Sequence, residues 1–142
     1  MDAMQISRTG LDVEWQRLQV IAQNLANVNT SRTASGQPFR AMRLVSAPKE
    51  GFAAVVAGKT QAAKPKGVQV TGLEPMPGGL RRVYEPNDPQ ADAQGYVSYP
   101  AIDHAGEMTL LIKTSRAYEA NLTAMNIAHQ MYSRALELGR QS

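Results

Sequence analysis

The sequence predicts an α+β chain in which two long terminal α-helices flank a small β-rich or irregular middle insert. Three observations predict it. All eight prolines of the 142 residues lie between Pro38 and Pro100, and eight of the eleven glycines lie between Gly36 and Gly95, so both ends are nearly free of helix breakers. Near each end apolar residues recur every seven positions, as on one face of a helix. Between the ends, short β-compatible runs alternate with turn residues.

Composition narrows the classes further. A 43% hydrophobic content suits one core and is thin for two. No apolar run approaches the roughly 20 residues that span a bilayer. The absence of cysteine removes disulfides, thiolate metal sites and cysteine nucleophiles, and two histidines, His104 and His129, are too few for an all-histidine metal centre. At 6% aromatic residues, stacking platforms for single-stranded nucleic acid are scarce.

The first division, residues 1–30, carries a helix from Asp2 to about Asn27. Met4, Leu11, Leu18 and Leu25 recur every seven residues, and Ile21 and Val28 fill the offsets of three and four. Val13, Trp15, Val20 and Ala22 widen the apolar surface, so the helix meets more than one neighbour. Its length would be about 40 Å, enough to overhang a small core. Arg8, Asp12, Glu14 and Arg17 interrupt every candidate leader segment, which argues against a cleaved secretory signal. Asn24, Asn27 and Asn29, followed by Thr30 and Ser31, suit a helix end, because asparagine tolerates the left-handed conformation and its amide satisfies free carbonyls.

The second division, residues 31–102, reads as strands at Phe39 to Val45, Phe52 to Val56, Val68 to Thr71, Arg81 to Tyr84 and Tyr96 to Tyr99. Gly58 to Gly67, with Lys59, Lys64 and Lys66, is small, polar and basic, the pattern of a mobile loop. Gly58-Lys59-Thr60 resembles the end of a phosphate-binding loop, but Ala53 stands where that loop needs its first glycine, so no nucleotide site is expected. Glu85, Asp88 and Asp92 are interleaved with Pro86 and Pro89 and read as turns, not as a calcium loop. Charge is uneven: residues 30 to 82 hold nine basic and two acidic side chains, while the chain as a whole is only +3. A basic middle fits a polyanion, an anionic surface, an acidic partner or simply a solvated face.

The third division, residues 103–142, carries the longer helix, from Asp103 to Leu138. Met108, Ser115, Leu122, His129 and Leu136 form one seven-residue series, and Leu111, Tyr118, Met125, Tyr132 and Gly139 form the other. Together they give a coiled-coil-like seam about 54 Å long. Ala117, Ala120, Ala124, Ala128 and Ala135 allow close approach by several helices, so assembly is expected over a solitary two-stranded coil. Asp103 reads as an N-cap, Glu107 as a favourable first-turn charge and Gly139 as a stop signal. His129 lacks a carboxylate partner on its face and reads as a packed or interface residue.

Two segments are specific. Asn24, Leu25, Ala26, Asn27 and Thr30 at one end, and Ser115, Arg116, Ala117, Tyr118, Glu119, Ala120 and Asn121 at the other, resemble the paired terminal signatures of the bacterial flagellar axial proteins, the rod, hook and filament-joining family. Tyr84, Glu85 and Pro86, then Gly95 and Tyr96, then Glu107 and Met108, resemble its short proximal-rod members, as does the chain length. Arg32 to Ser35 departs from the family pattern, and Lys59 to Lys66 has no counterpart in it.

The resemblance implies that the terminal helices pair as an inner domain of a hollow rod while the middle forms an outer, β-rich part. It implies export through the type III apparatus without a cleaved signal, and residence in the periplasmic rod of the basal body. Its partners would be copies of itself, proximal and distal rod proteins and the rod-to-ring adaptor, with no nucleic acid and no membrane span. On that expectation Leu11, Leu18, Leu25, Leu111, Tyr118, Leu122, Met125 and Leu136 are subunit-interface candidates. Asn24 and Asn27 would cap or bridge helices, and Arg116 and Glu119 would pair between subunits. No catalytic constellation, metal set or cofactor site is expected. The competing readings are a neighbouring proximal-rod subunit and a basic nucleic-acid-binding adaptor.

Overall fold

The computed structural model describes residues 3–49 and 66–140. Its elements are α1 (Ala3–Ala26), β1 (Met42–Pro48), β2 (Val68–Pro75), β3 (Leu80–Tyr84), β4 (Tyr96–Pro100) and α2 (His104–Arg140). The α+β architecture, two long helices with a small two-sheet insert between them, is the one the sequence predicts. The expected strand at Phe52 to Val56 and all but the last residues of the basic loop lie outside the described residues.

α1 spans 24 residues and α2 spans 37, about 36 and 55 Å at the usual rise. α1 stops where the Asn27 side-chain amide donates to the Gln23 carbonyl at 2.8 Å and the Thr30 hydroxyl donates to the Asn27 carboxamide oxygen at 3.0 Å. The side chain thus replaces the next turn of backbone hydrogen bonds. At the other helix, the Glu107 amide donates to the Asp103 carbonyl at 2.9 Å, closing the first turn of α2. The expected stop at Gly139 is corrected: α2 runs through it to Arg140, since one glycine near a helix end costs only about 1 kcal/mol relative to alanine.

β1 pairs with β2 and β3 with β4 in two separate two-stranded sheets. The first pair is antiparallel, closed at one end by Lys49 donating to Gly67 at 2.8 Å and at the other by Met76 donating to Ala41 at 2.9 Å. β1 begins at Met42, not Phe39, because the Phe39 amide is taken by the Thr30 carbonyl and belongs to the loop. β2 runs past Gly72 to Pro75, which sits at the strand's end, where proline costs no ladder bond. β3 and β4 are antiparallel, in a register running from Leu80 opposite Pro100 to Tyr84 opposite Tyr96. Val83 and Val97 therefore face each other on one side, and Val97 is buried.

The chain divides into two compact units, each using part of both helices. One contains α1 up to Gln16, the Val45–Gly72 segment and α2 from Thr114 onward; Val13 and Thr114 are its buried residues among those described. The other contains the rest of α1, the chain to Leu44, and Leu73 to Lys113; it buries Ile21, Asn24, Val97, Pro100 and Glu107. The buried apolar side chains among the described residues are Val13 in the first unit and Ile21 and Val97 in the second, and each contributes about 1.5–3 kcal/mol at most.

Candidate assembly surface

The N-terminal motif is built around Asn24, which is 2% exposed. Its amide donates to the Met42 carbonyl at 2.8 Å and to Glu107 Oε2 at 3.1 Å, with Met76 Sδ at 3.7 Å, while its carboxamide oxygen accepts from the Met42 amide at 3.1 Å. The two bonds to Met42 reproduce a strand pair with a side chain in place of backbone. One residue thus ties the end of α1 to the start of β1 and, across 83 positions, to the first turns of α2. Glu107 is buried here, so the first-turn acid also serves as a tertiary acceptor. Leaving such groups unpaired would cost about 1–3 kcal/mol each.

In the other unit the two helices meet at Gly10. A Cβ there would lie 2.9 Å from the Asn121 carboxamide, so the C-terminal motif's asparagine packs directly over this glycine and would have to shift for any larger residue. The Trp15 and Tyr118 rings are tilted against each other with centroids 6.4 Å apart. The Thr9 hydroxyl donates to the Ile6 carbonyl at 2.7 Å and accepts from the Val68 amide at 3.1 Å, joining α1 to the start of β2. Gly67 has φ +92°, and a Cβ on it would collide with Thr9 Oγ1.

Of the interface candidates, Leu11, Leu18, Leu25, Leu111, Tyr118 and Met125 are half-buried, whereas Leu122 and Leu136 are exposed. They belong to a larger apolar surface on the distal part of α2. Ile127, Met131, Tyr132, Leu136 and Leu138 are 52–70% exposed, and Ile112 and Trp15 exceed half exposure elsewhere. Arg116, Glu119 and His129 are exposed, and Ser115 is half-buried.

The middle motif forms the β3–β4 hairpin. The rings of Tyr84 and Tyr96, directly opposite in register, pack edge to face at 5.3 Å, and the Arg82 guanidinium lies 4.8 Å from the Tyr96 centroid. Arg82 also pairs with Asp92. The Asp92 carboxylate accepts from the amides of Tyr96 (2.9 Å) and Gln94 (3.0 Å), and these bonds, with Arg82, hold its pKa below the usual carboxylate value. Tyr99 donates to Glu85 at 2.7 Å, and that bond raises the phenol's pKa. Asp88 caps the Gln90 amide at 2.7 Å, so the acidic stretch is a pair of turns. Among the described residues no group of three His, Asp or Glu side chains is arranged to hold a metal ion.

Sequence reasoning missed Thr9, Gly10, Gly67 and Thr114 as contact residues. Gly10, the only glycine within α1, was the available signal; the others carry no local pattern.

The comparisons agree with this arrangement. Residues 93–138 match the family model described as flagellar basal body rod FlgEFG protein, C-terminal. The chain is similar to the flagellar basal-body rod protein FlgC of Bacillus subtilis (34% identity, covering 97% of each chain) and of Salmonella typhimurium (35%, covering 99% of this chain and 98% of that one). It is similar also to FlgC of Borreliella burgdorferi at 33%, covering 96% and 95%. Identity at this level over nearly the whole length shows that the chain belongs to the FlgC family of flagellar basal-body rod proteins.

Proposed function

We infer that this chain is a structural subunit of the proximal rod, one that polymerises through its terminal helices into a hollow shaft that transmits torque and passes exported subunits. The observation that carries the assembly reading is the distal part of α2. Five large apolar side chains, distributed over two sides of its last turns, are 52–70% exposed, surface that the described residues of the chain do not cover. Copies of itself and neighbouring rod proteins are the proposed cover, in a heterologous, helical arrangement. The role is mechanical, with no substrate and no cofactor.

Export without a cleaved signal through the type III apparatus, and residence in the periplasmic part of the basal body, are part of the same proposal. Long helices with little intrachain burial draw most of their stability from neighbours, so ordering and polymerisation are coupled. A deletion strain tests the function directly: it should lack a completed rod and hook and fail to swim, and this gene should restore both. A deletion strain that still completes the rod would overturn the reading. Hydrogen exchange tests the coupling, with weakly protected helix amides in the dilute chain and protection rising on assembly.

The basic-adaptor reading weakens at its own charges. Arg43 pairs with Glu74 at 2.8 Å and Arg82 with Asp92, so part of the basic excess is internally compensated.

A further inference from the structure

The apolar repeats of α1 and α2 do not by themselves fix how the two helices are aligned. Leu11, Leu18 and Leu25 recur every seven residues, as do Leu111, Tyr118 and Met125, so sliding one helix by seven residues sets apolar side chains against apolar side chains again. Two other contacts do not repeat. In the second unit the buried Asn24 donates to the buried Glu107 at 3.1 Å. In the first unit Gly10 lies beneath the Asn121 carboxamide, where a Cβ would come within 2.9 Å. Asn24 and Gly10 are fourteen residues apart and so, running the other way, are Glu107 and Asn121. Both contacts therefore mark the same antiparallel register, at positions two heptads apart.

A slip of seven residues in either direction loses both marks. One slip sets Glu107 opposite Ser31, past the end of α1 at Ala26, and leaves a buried carboxylate without its amide donor. The other sets Asn24 opposite Pro100, ahead of the start of α2 at His104. That second slip would bring Glu107 opposite Arg17, a competing cation, so the Asn24 bond alone is a weak guard against it. Asn121 supplies the other guard. The slips would set it opposite Arg17 or Ala3, and Gly10 is the only glycine of α1, the one position without a Cβ to displace it.

We propose that Asn24–Glu107 and Gly10–Asn121 are the register device of the α1–α2 pair: the apolar repeats hold the helices together in any of three alignments, and these two contacts select one. The selected alignment sets what α2 leaves uncovered. Seven residues beyond the Gly10 contact, Ala3 stands opposite Ala128, so the twelve residues from His129 to Arg140, about 18 Å of helix, have no described residue of α1 beside them. Met131, Tyr132, Leu136 and Leu138 fall in that overhang, which accounts for their exposure on more than one side. The register stands on the chain's own contacts; only the use of the overhang in polymerisation rests on the assembly reading above.

The chain has no cysteine of its own, so one spin label can be set on each helix through Gln16→Cys and Ala124→Cys, exposed positions within the first unit. Pulsed electron-spin distance measurement on the full-length chain should give one dominant distance. Glu107→Met, which keeps the side chain's size and the bonds of Asn24 to Met42, should add a minor population, and so should Gly10→Ala/Asn121→Ala. With all three substitutions, helicity by circular dichroism should persist while the distances split into populations offset by seven residues, about 10 Å along the axis. A single unchanged distance in that chain overturns the proposal, because the packing of the insert then sets the register. Loss of its helicity overturns it too, since the contacts would then hold the helices together and not choose between alignments, as does a wild-type chain without a dominant distance. Incorporation of Leu122→Asp into rods separates the two readings. If the distance stays single in the triply substituted chain and Leu122→Asp is excluded from rods, only the register device falls; if the distances split and Leu122→Asp is incorporated normally, only the assembly reading falls.

Discussion

The two parts of α2 have the same seven-residue apolar repeat and opposite surroundings. In its first turns Glu107 and Thr114 are buried, at 3% and 2% exposure, whereas from Ile127 to Leu138 the large apolar side chains are half exposed or more. The buried residues of the first part are polar, and in the last part the large apolar residues are as exposed as their polar neighbours Gln130, Arg134 and Glu137. Within this chain, then, the proximal turns are fixed by a hydrogen bond to α1, while the distal turns leave their large apolar side chains exposed. A repeat marks a face; it does not mark what covers it.

The largest expected effect comes from breaking the distal face. Leu122→Asp or Met125→Asp should abolish rod completion and swimming while leaving the folding of the dilute chain little changed, as measured by motility, rod content and circular dichroism. Intact motility would remove those residues from the interface. Next is the polar node. Asn24→Ala orphans the Met42 groups and Glu107 and should lower stability by about 1–3 kcal/mol in urea unfolding. Asn24→Asp should cost more, because it sets a second carboxylate against buried Glu107. Equal stability of wild type and Asn24→Asp would show that the node is not formed.

A smaller effect is expected at Gly67, where alanine meets both a positive φ and the Thr9 hydroxyl. Gly67→Ala should destabilise the first unit by about 1–3 kcal/mol, measured by the same unfolding, with Thr9→Ala/Gly67→Ala losing less than the sum.

Acid should act on the β3–β4 hairpin. The folded pKa of Asp92 is depressed, so its contribution is fully present above the unfolded value, about pH 4, and is lost as pH falls through the lower folded value. Amide protection at Gln94 and Tyr96 should therefore drop in that acid window, and Asp92→Asn should remove the dependence. The smallest change is Arg43→Ala, since a pair with side chains 58% and 52% exposed is worth only about 0.2–1 kcal/mol, at the limit of a denaturation midpoint.

Much of the architecture was legible in the chain. Proline and glycine placement marked both helices to within a few residues, because these effects are local and act through the backbone. Strand ends were less legible. Phe39 has every local property of a strand residue, yet its amide goes to Thr30, and β2 continues past Gly72 because β1 lies beside it. The role of Asn27 as a helix cap follows from local chemistry. That of Asn24, three residues earlier and of the same type, does not, since its partners lie 18 and 83 positions away.

By itself, then, the sequence determined two long amphipathic helices around a turn-rich insert, and the family motifs at their places on them. Those properties depend on residues within a few turns of one another. Only the tertiary structure decided which motif residues became buried connectors, which glycines permit close approach, and which part of the helical repeat remains exposed. Such outcomes depend on groups distant in the chain meeting in space, where a buried polar atom must find a partner and an exposed one need not.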